Sequence, residues 1–146
     1  MAVTKSGLFY PTFAAALQNT IALDLGAETY KGALISNSAT PDFDAHDLWN
    51  DLSANEVYGT GWAQGGVALT GTTVSCSPTG TLMLDADDVS QPTTTLTNAR
   101  AYVWYASTLS TELICLVNFG ADYSTVGGTF SITWAATGVF NVDLTP

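Results

Sequence analysis

Apolar and polar positions along this chain follow a two-residue period far more often than a helical one. Residues 129–134 alternate cleanly, which puts Phe130, Ile132 and Trp134 on one face of a strand. Residues 112–119 form a nearly continuous apolar run and predict a central strand buried on both faces. Residues 99–106 carry Tyr102, Trp104 and Tyr105 and predict a neighbouring strand. Residues 67–76 are β-branched around a bulge-prone Gly71, residues 77–80 make a turn, and residues 81–85 return as the partner of a hairpin. Residues 30–36 and 139–144 complete the strands, and residues 85–94 and 120–128 are expected as a loop and a long turn. Two segments suggest short helices. Residues 11–19 have Pro11 at a helix start and Phe13, Ala16 and Leu17 on one face. Residues 40–52 have Pro41 and early acids, with Leu48, Trp49 and Leu52 at helical spacing.

Short strands punctuated by turns at near-regular intervals predict an all-β fold. The expectation is a single-domain antiparallel β-sandwich, jelly-roll or Ig-like, over residues 1–146. One or two short helices fall in its N-terminal half, and residues 1 to about 29 form a less regular arm. Six or more strands in so small a domain stack as two sheets, since one open sheet would leave an apolar face wet.

Charge changes the picture next. Only 11% of residues are charged against 47% hydrophobic, and the formal net charge is -10, with Lys5, Lys31 and Arg100 the only cations. Soluble domains average roughly 25% charged residues, so hydroxyls rather than charges coat this surface, and such a surface is easily desolvated against other protein. Nucleic acid and anionic membranes are poor partners, because phosphate contact needs a basic patch. No segment approaches the ~20 apolar residues that span a bilayer. The N-terminus lacks the pattern of a secretory signal, since residues 13–17 are too short an apolar run. Synthesis and retention in a cytoplasm until assembly is the expectation. Cys76 and Cys115 lie in expected strands and read as buried free thiols rather than a disulfide or zinc ligands.

Candidates for chemistry are few. His46 is the single histidine, set among Asp42, Asp44 and Asp47. A base with a carboxylate orienter is conceivable there, but a surface histidine beside acids is the preferred reading. Asp85, Asp87 and Asp88 suit a hard cation by type, without the glycine and closing glutamate of a calcium loop, and read better as an exposed acidic loop. Asp42, Asp44, Asp47 and Asp51 contain pairs that a glycosidase would need, without the other positioning groups. The glycines at 59, 61, 65 and 66 do not lead a strand into a helix and read as turn residues, not as a phosphate cradle. Among the aromatics, Trp104 and Trp134 read as core. Tyr58 and Trp62, in the glycine-rich loop, are the residues expected to be exposed or at an interface. No catalytic, cofactor or metal residue is assigned, and no cofactor is expected.

Taken in order, a set of segments carries a resemblance. They are residues 30–35 (YKGALI), Thr40-Pro41 leading to residues 46–52 (HDLWNDL), residues 55–62 (NEVYGTGW) with Gly65-Gly66-Val67, and residues 84–89 (LDADDV). They continue with residues 99–103 (ARAYV), Asn118-Phe119-Gly120, residues 127–134 (GGTFSITW) and Gly138-Val139. With these segments the chain resembles a family of small all-β virion proteins of tailed bacteriophages. The resemblance implies a structural component of the particle with no catalysis. The expected function is capsid decoration (cement), stabilising the head through contacts with the major capsid protein or other virion proteins, as a homo-oligomer. The alternative is a tail-associated or receptor- or carbohydrate-binding virion protein.

Overall fold

Two long strands joined by a short connection organise the molecule. The computed structural model describes residues 2–145. In chain order the elements are β1 (Gly7–Leu8), α1 (Tyr10–Leu17), β2 (Tyr30–Ser36), β3 (Glu56–Val57), β4 (Val67–Ala68), β5 (Thr73–Cys76), β6 (Thr81–Asp85), β7 (Val89–Ala106), β8 (Glu112–Ile132) and β9 (Phe140–Asp143). Single turns of 3-10 helix cover Trp49–Asp51 and Ser53–Asn55. The fold is all-β and sandwich-like. The larger sheet runs β1-β8-β7-β2-β3 with β4 also paired to β2, and the smaller runs β5-β6-β9. Each of these pairings is antiparallel.

The larger sheet is buried on both faces because its central strands alternate between two apolar clusters. Ala101, Val103 and Tyr105 of β7 join Ala33, Ile35, Leu113 and Leu116 on one face, capped by Val3, Phe9, Trp49 and Leu52. Tyr102, Trp104 and Ala106 join Tyr30, Leu34, Ile114 and Cys115 on the other. That second face is covered by Trp62, by Leu84 of the smaller sheet and by Leu96, Phe130 and Ile132 from the far half of the β7–β8 hairpin. A stacked pair lies on each face: Tyr30 of β2 on Trp104 of the neighbouring β7, with centroids 5.4 Å apart, and Trp49, from its 3-10 turn, on Tyr105 of β7 at 5.4 Å. Gly32 is required where it stands, because the Tyr102 phenol lies directly over its Cα and leaves no room for a Cβ.

The strands at residues 30–36 and 81–85 fall where they are expected, and α1 covers most of the first expected helix. Three expectations need correction. Residues 40–52 do not form a helix but a chain of tight turns. Asp42 Oδ1 accepts from the Asp44 N–H (3.0 Å), and Asp51 Oδ2 accepts from the N–H groups of Asp47 and Leu48 (3.1 Å each), so side chains take the donors that a helix would need. Residues 120–128 are not a turn but continue β8, and β7 begins at Val89 inside the expected loop. Cys76 is an exposed free thiol, and Cys115 alone is buried, where desolvation pushes its thiol up to about 12.

The far half of the hairpin turns because β8 carries extra residues. Ala101 pairs with Asn118, but Ala99 pairs with Tyr123, so residues 119–122 bulge out opposite the single residue Arg100. Gly120 takes the left-handed conformation there (φ 78°), as Gly127 does (φ 64°) in a second bulge farther along. The turned half brings Phe130 back over Phe119, with ring centroids 6.1 Å apart.

Candidate interaction surface

The loop that was expected to present Tyr58 and Trp62 separates them. Gly59 and Trp62 close a tight turn through two backbone hydrogen bonds, Gly59 N–H to Trp62 O (3.0 Å) and Trp62 N–H to Gly59 O (3.1 Å). Farther along, Glu56 Oε1 accepts from the Gly65 N–H at 2.6 Å and the Tyr105 hydroxyl donates to the Gly65 carbonyl at 2.5 Å. Burial raises the Glu56 carboxyl above its ordinary range, although the Gly65 and Gly66 N–H groups oppose the rise. So pinned, the loop drives the Trp62 indole inward. It is 1% exposed, edge-on to Tyr102 and Phe130. The expectation that Trp62 lies at an interface is therefore corrected: it is a core residue. Tyr58 does face solvent, at 53% exposure.

The remaining reactive types are tied into local structure. His46 is half-buried beside an open hollow of about 430 Å³ that also takes in Lys5, Asp42 and Asp44. Its Nδ1 accepts from the Asp42 N–H at 3.3 Å, so no carboxylate orients the ring through that nitrogen. Lys5 sits over the Phe43 ring at 5.4 Å. The acids at 85–88 act as braces. Asp87 Oδ2 accepts from the Thr70 hydroxyl (2.8 Å), Asp88 Oδ1 from the Trp134 N–H (2.9 Å), and Asp85 Oδ1 from the Ala86 N–H (2.9 Å). Among the described residues, no three His, Cys, Asp or Glu side chains are grouped to hold a metal ion. Trp134 is half-buried against Tyr102 and Trp104, its Nε1–H donating to the Asp87 carbonyl at 3.0 Å.

A surface not anticipated from single residues lies along β8. β1 pairs with β8 only at Cys115 and Leu116. Beyond Leu116, the described residues supply no strand on that side, while β7 occupies the other. The inner bend of β8 forms an open groove of about 490 Å³, lined by Phe119, Tyr123, Thr125, Phe130 and Ile132 with intervening hydroxyls. Tyr123 is 51% exposed and Val126 is 91% exposed. A Cβ placed on Gly120, Gly127 or Gly128 would meet no atom within 4 Å. Residues 89–99 and 123–134 contain no charged side chain at all. The one charge on the bulge, Asp122, is paired with Arg100 at 3.0 Å, and the same Arg100 Nε donates to Asn37 Oδ1 at 3.0 Å. The signal in the sequence was there as an absence: two uncharged stretches in a chain of net charge -10.

A second apolar exposure lies on α1. Tyr10 and Leu17 are 63% and 90% exposed, while the helix's threonine, Thr12, is buried. No helix among the described residues is long and apolar enough to cross a membrane. Comparison of the chain with protein-family models, with characterised proteins and with solved structures finds no match.

Proposed function

We propose that this chain is a structural virion protein of a tailed bacteriophage, a capsid decoration (cement) protein that stabilises the head by binding the major capsid protein. The observation that carries the reading is the long, uncharged and aromatic-lined flank of β8, an open strand edge beside an apolar groove that suits the chain to life as one subunit of a larger assembly. The resemblance to small all-β phage proteins points the same way. A stable contact buries about 800 Å² on each partner, and repeated copies on a lattice add avidity. An acidic chain with three cations suits the outside of a shell, away from packaged DNA. A tail-associated role would draw on the same surface. The carbohydrate-binding alternative is weaker than the sequence suggested, because a buried Trp62 leaves Tyr58 without its expected aromatic partner.

Co-sedimentation of the purified chain with undecorated capsids and, separately, with tails tests the proposal. Pelleting with capsids, weakened by Tyr123→Ala, is the expected result. Pelleting with tails alone would move the chain to the alternative site, and pelleting with neither would refute a virion role.

A further inference from the structure

We propose that the exposed flank of β8 is a self-association edge, at which a second copy of this chain adds its own β8 antiparallel across a two-fold axis to give a closed dimer. The inference does not depend on which particle the chain belongs to, and it names an occupant for an edge that no strand among the described residues pairs beyond Leu116.

Four observations lead to it. The first is the open edge. Past Leu116 the outer side of β8 has no strand partner among the described residues, and Gly127 and Gly128 face open space. Unpaired edges of this kind template further pairing unless they are blocked by lysine, proline or an inward-pointing charge. None of these occurs in residues 123–132, which read YSTVGGTFSI. Bulging is the one protective device present, and it leaves residues 130–132 in continuous register with β7.

The second observation concerns charge, and it selects the second copy over other occupants. Two molecules of net charge -10 repel one another, so they meet most favourably where neither carries charge. The β7–β8 extension is that place: Asp122 at its bulge is paired with Arg100, and Asp88, just before β7, turns its carboxylate to the Trp134 N–H. A basic partner would gain nothing there and would be drawn to the acidic remainder of the surface.

The third is self-complementarity. In antiparallel pairing, threonine, serine and β-branched side chains face their own kind favourably, and this edge is built from them. The groove lined by Phe119, Tyr123 and Phe130 then receives the protruding side chains of the added strand, as in other strand-addition complexes.

The fourth is closure. The opposite margin of the larger sheet ends in β3 and β4, two residues each. The other flank of the extension is covered where Thr60 bridges Thr95, and Pro92 lies just beyond. One long edge per molecule and a two-fold operation consume each other, so the product is a dimer rather than a filament.

The test is sedimentation velocity of the purified chain across a wide concentration range, with no capsid present. Val126→Lys with Thr129→Lys places charge on the edge at two exposed positions, and Leu17→Lys places one on the exposed end of α1. The expected result is a species of twice the 15.3 kDa chain mass. The double β8 variant should weaken it by about 100-fold or more, as like charges across an interface do. Leu17→Lys should leave it intact, and far-ultraviolet circular dichroism and melting should show all three proteins equally folded. A wild-type chain that stays monomeric, a larger closed oligomer, or a dimer lost with Leu17→Lys but kept with the β8 pair would overturn the proposal. A monomer that still pellets with capsids would overturn this inference alone and leave the decoration reading standing.

Discussion

At the scale of single residues, burial decides function more than residue type does. Glu112 is a carboxylate only 7% exposed, and its Oε2 has no hydrogen-bond partner. Desolvation raises its affinity for a proton, and the nearby negative charges of Asp47 and Glu28 add to the rise, against a lowering by its own backbone N–H. A carboxyl whose pKa is higher in the folded state than in the unfolded chain costs stability above that pKa, and the cost disappears as pH falls through it. Glu112→Gln should therefore melt at higher temperature than the wild type at neutral pH. The gain expected is about 1 kcal/mol, the scale for relieving one buried unsatisfied group. The gap should shrink as the pH is lowered toward the range where Glu112 itself is protonated. Thermal melts of both proteins over a pH series check this, and a gap that widens on acidification would contradict it. Trp62 and Tyr58 make the complementary case. Four positions apart and both aromatic, they read alike in the sequence because glycines flank both. What the sequence does not display is the Gly59–Trp62 turn, which folds one ring into the core and leaves the other in water. Trp62→Ala should cost about 3–5 kcal/mol through the cavity it opens, and Tyr58→Ala within about 0.5 kcal/mol. Denaturant unfolding of the two variants separates them.

At the scale of elements, what was legible was what obeys a period. Residues 129–134 alternate because one face meets the core, residues 30–36 alternate only loosely because β2 meets a core on both faces, and residues 81–85 follow from the hairpin turn before them. Segments went unread where a local interaction overrides the period. Over residues 40–52, Leu48, Trp49 and Leu52 do share helical spacing, yet Asp42, Asp51 and His46 draw backbone N–H groups into side-chain bonds. Trp49 and Leu52 reach the core from 3-10 turns instead. Over residues 120–128 the glycines look like a turn, but they serve bulges within one continuous strand. The candidate surface was missed for that reason, since its edge exists only if β8 continues past Gly120. Arg100 holds that continuation in place by spanning the bulge from β7 to Asp122 and Asn37. Arg100→Leu keeps the aliphatic packing and removes both charged contacts. It should lower global stability by about 1–2 kcal/mol, in line with the loss of a charge-assisted hydrogen bond from a partly buried site. It should also speed amide hydrogen exchange at residues 119–123 more than at β2. Uniform acceleration across the sheet would mean that the bulge does not depend on Arg100.

At the scale of the whole molecule, the low charged fraction and the large net charge work against each other. With 11% of residues charged, little on the surface blocks association side chain by side chain. What remains is long-range repulsion, since ten uncompensated negative charges sit on every copy. The repulsion is general, whereas the uncharged flank of β8 is local, so copies repel at a distance and yet have one place where close approach costs little. Two consequences follow from the same balance. Added salt screens the repulsion over about 10 Å at 0.1 M, so association through β8 should tighten rather than loosen as salt rises, the reverse of a contact held by ion pairs. Acid removes the repulsion altogether, because the sequence isoelectric point is about 4.1. Near that pH the exposed Tyr10 and Leu17 of α1 and Leu144 near the C-terminal end become free to associate, and light scattering should rise well above its value at pH 7. Leu17→Lys, which removes one of these side chains and adds a positive charge, should reduce that scattering while leaving behaviour at pH 7 unchanged. A wild-type chain that stays clear through its isoelectric point would show that hydration of its hydroxyl-rich surface, and not charge, keeps the copies apart.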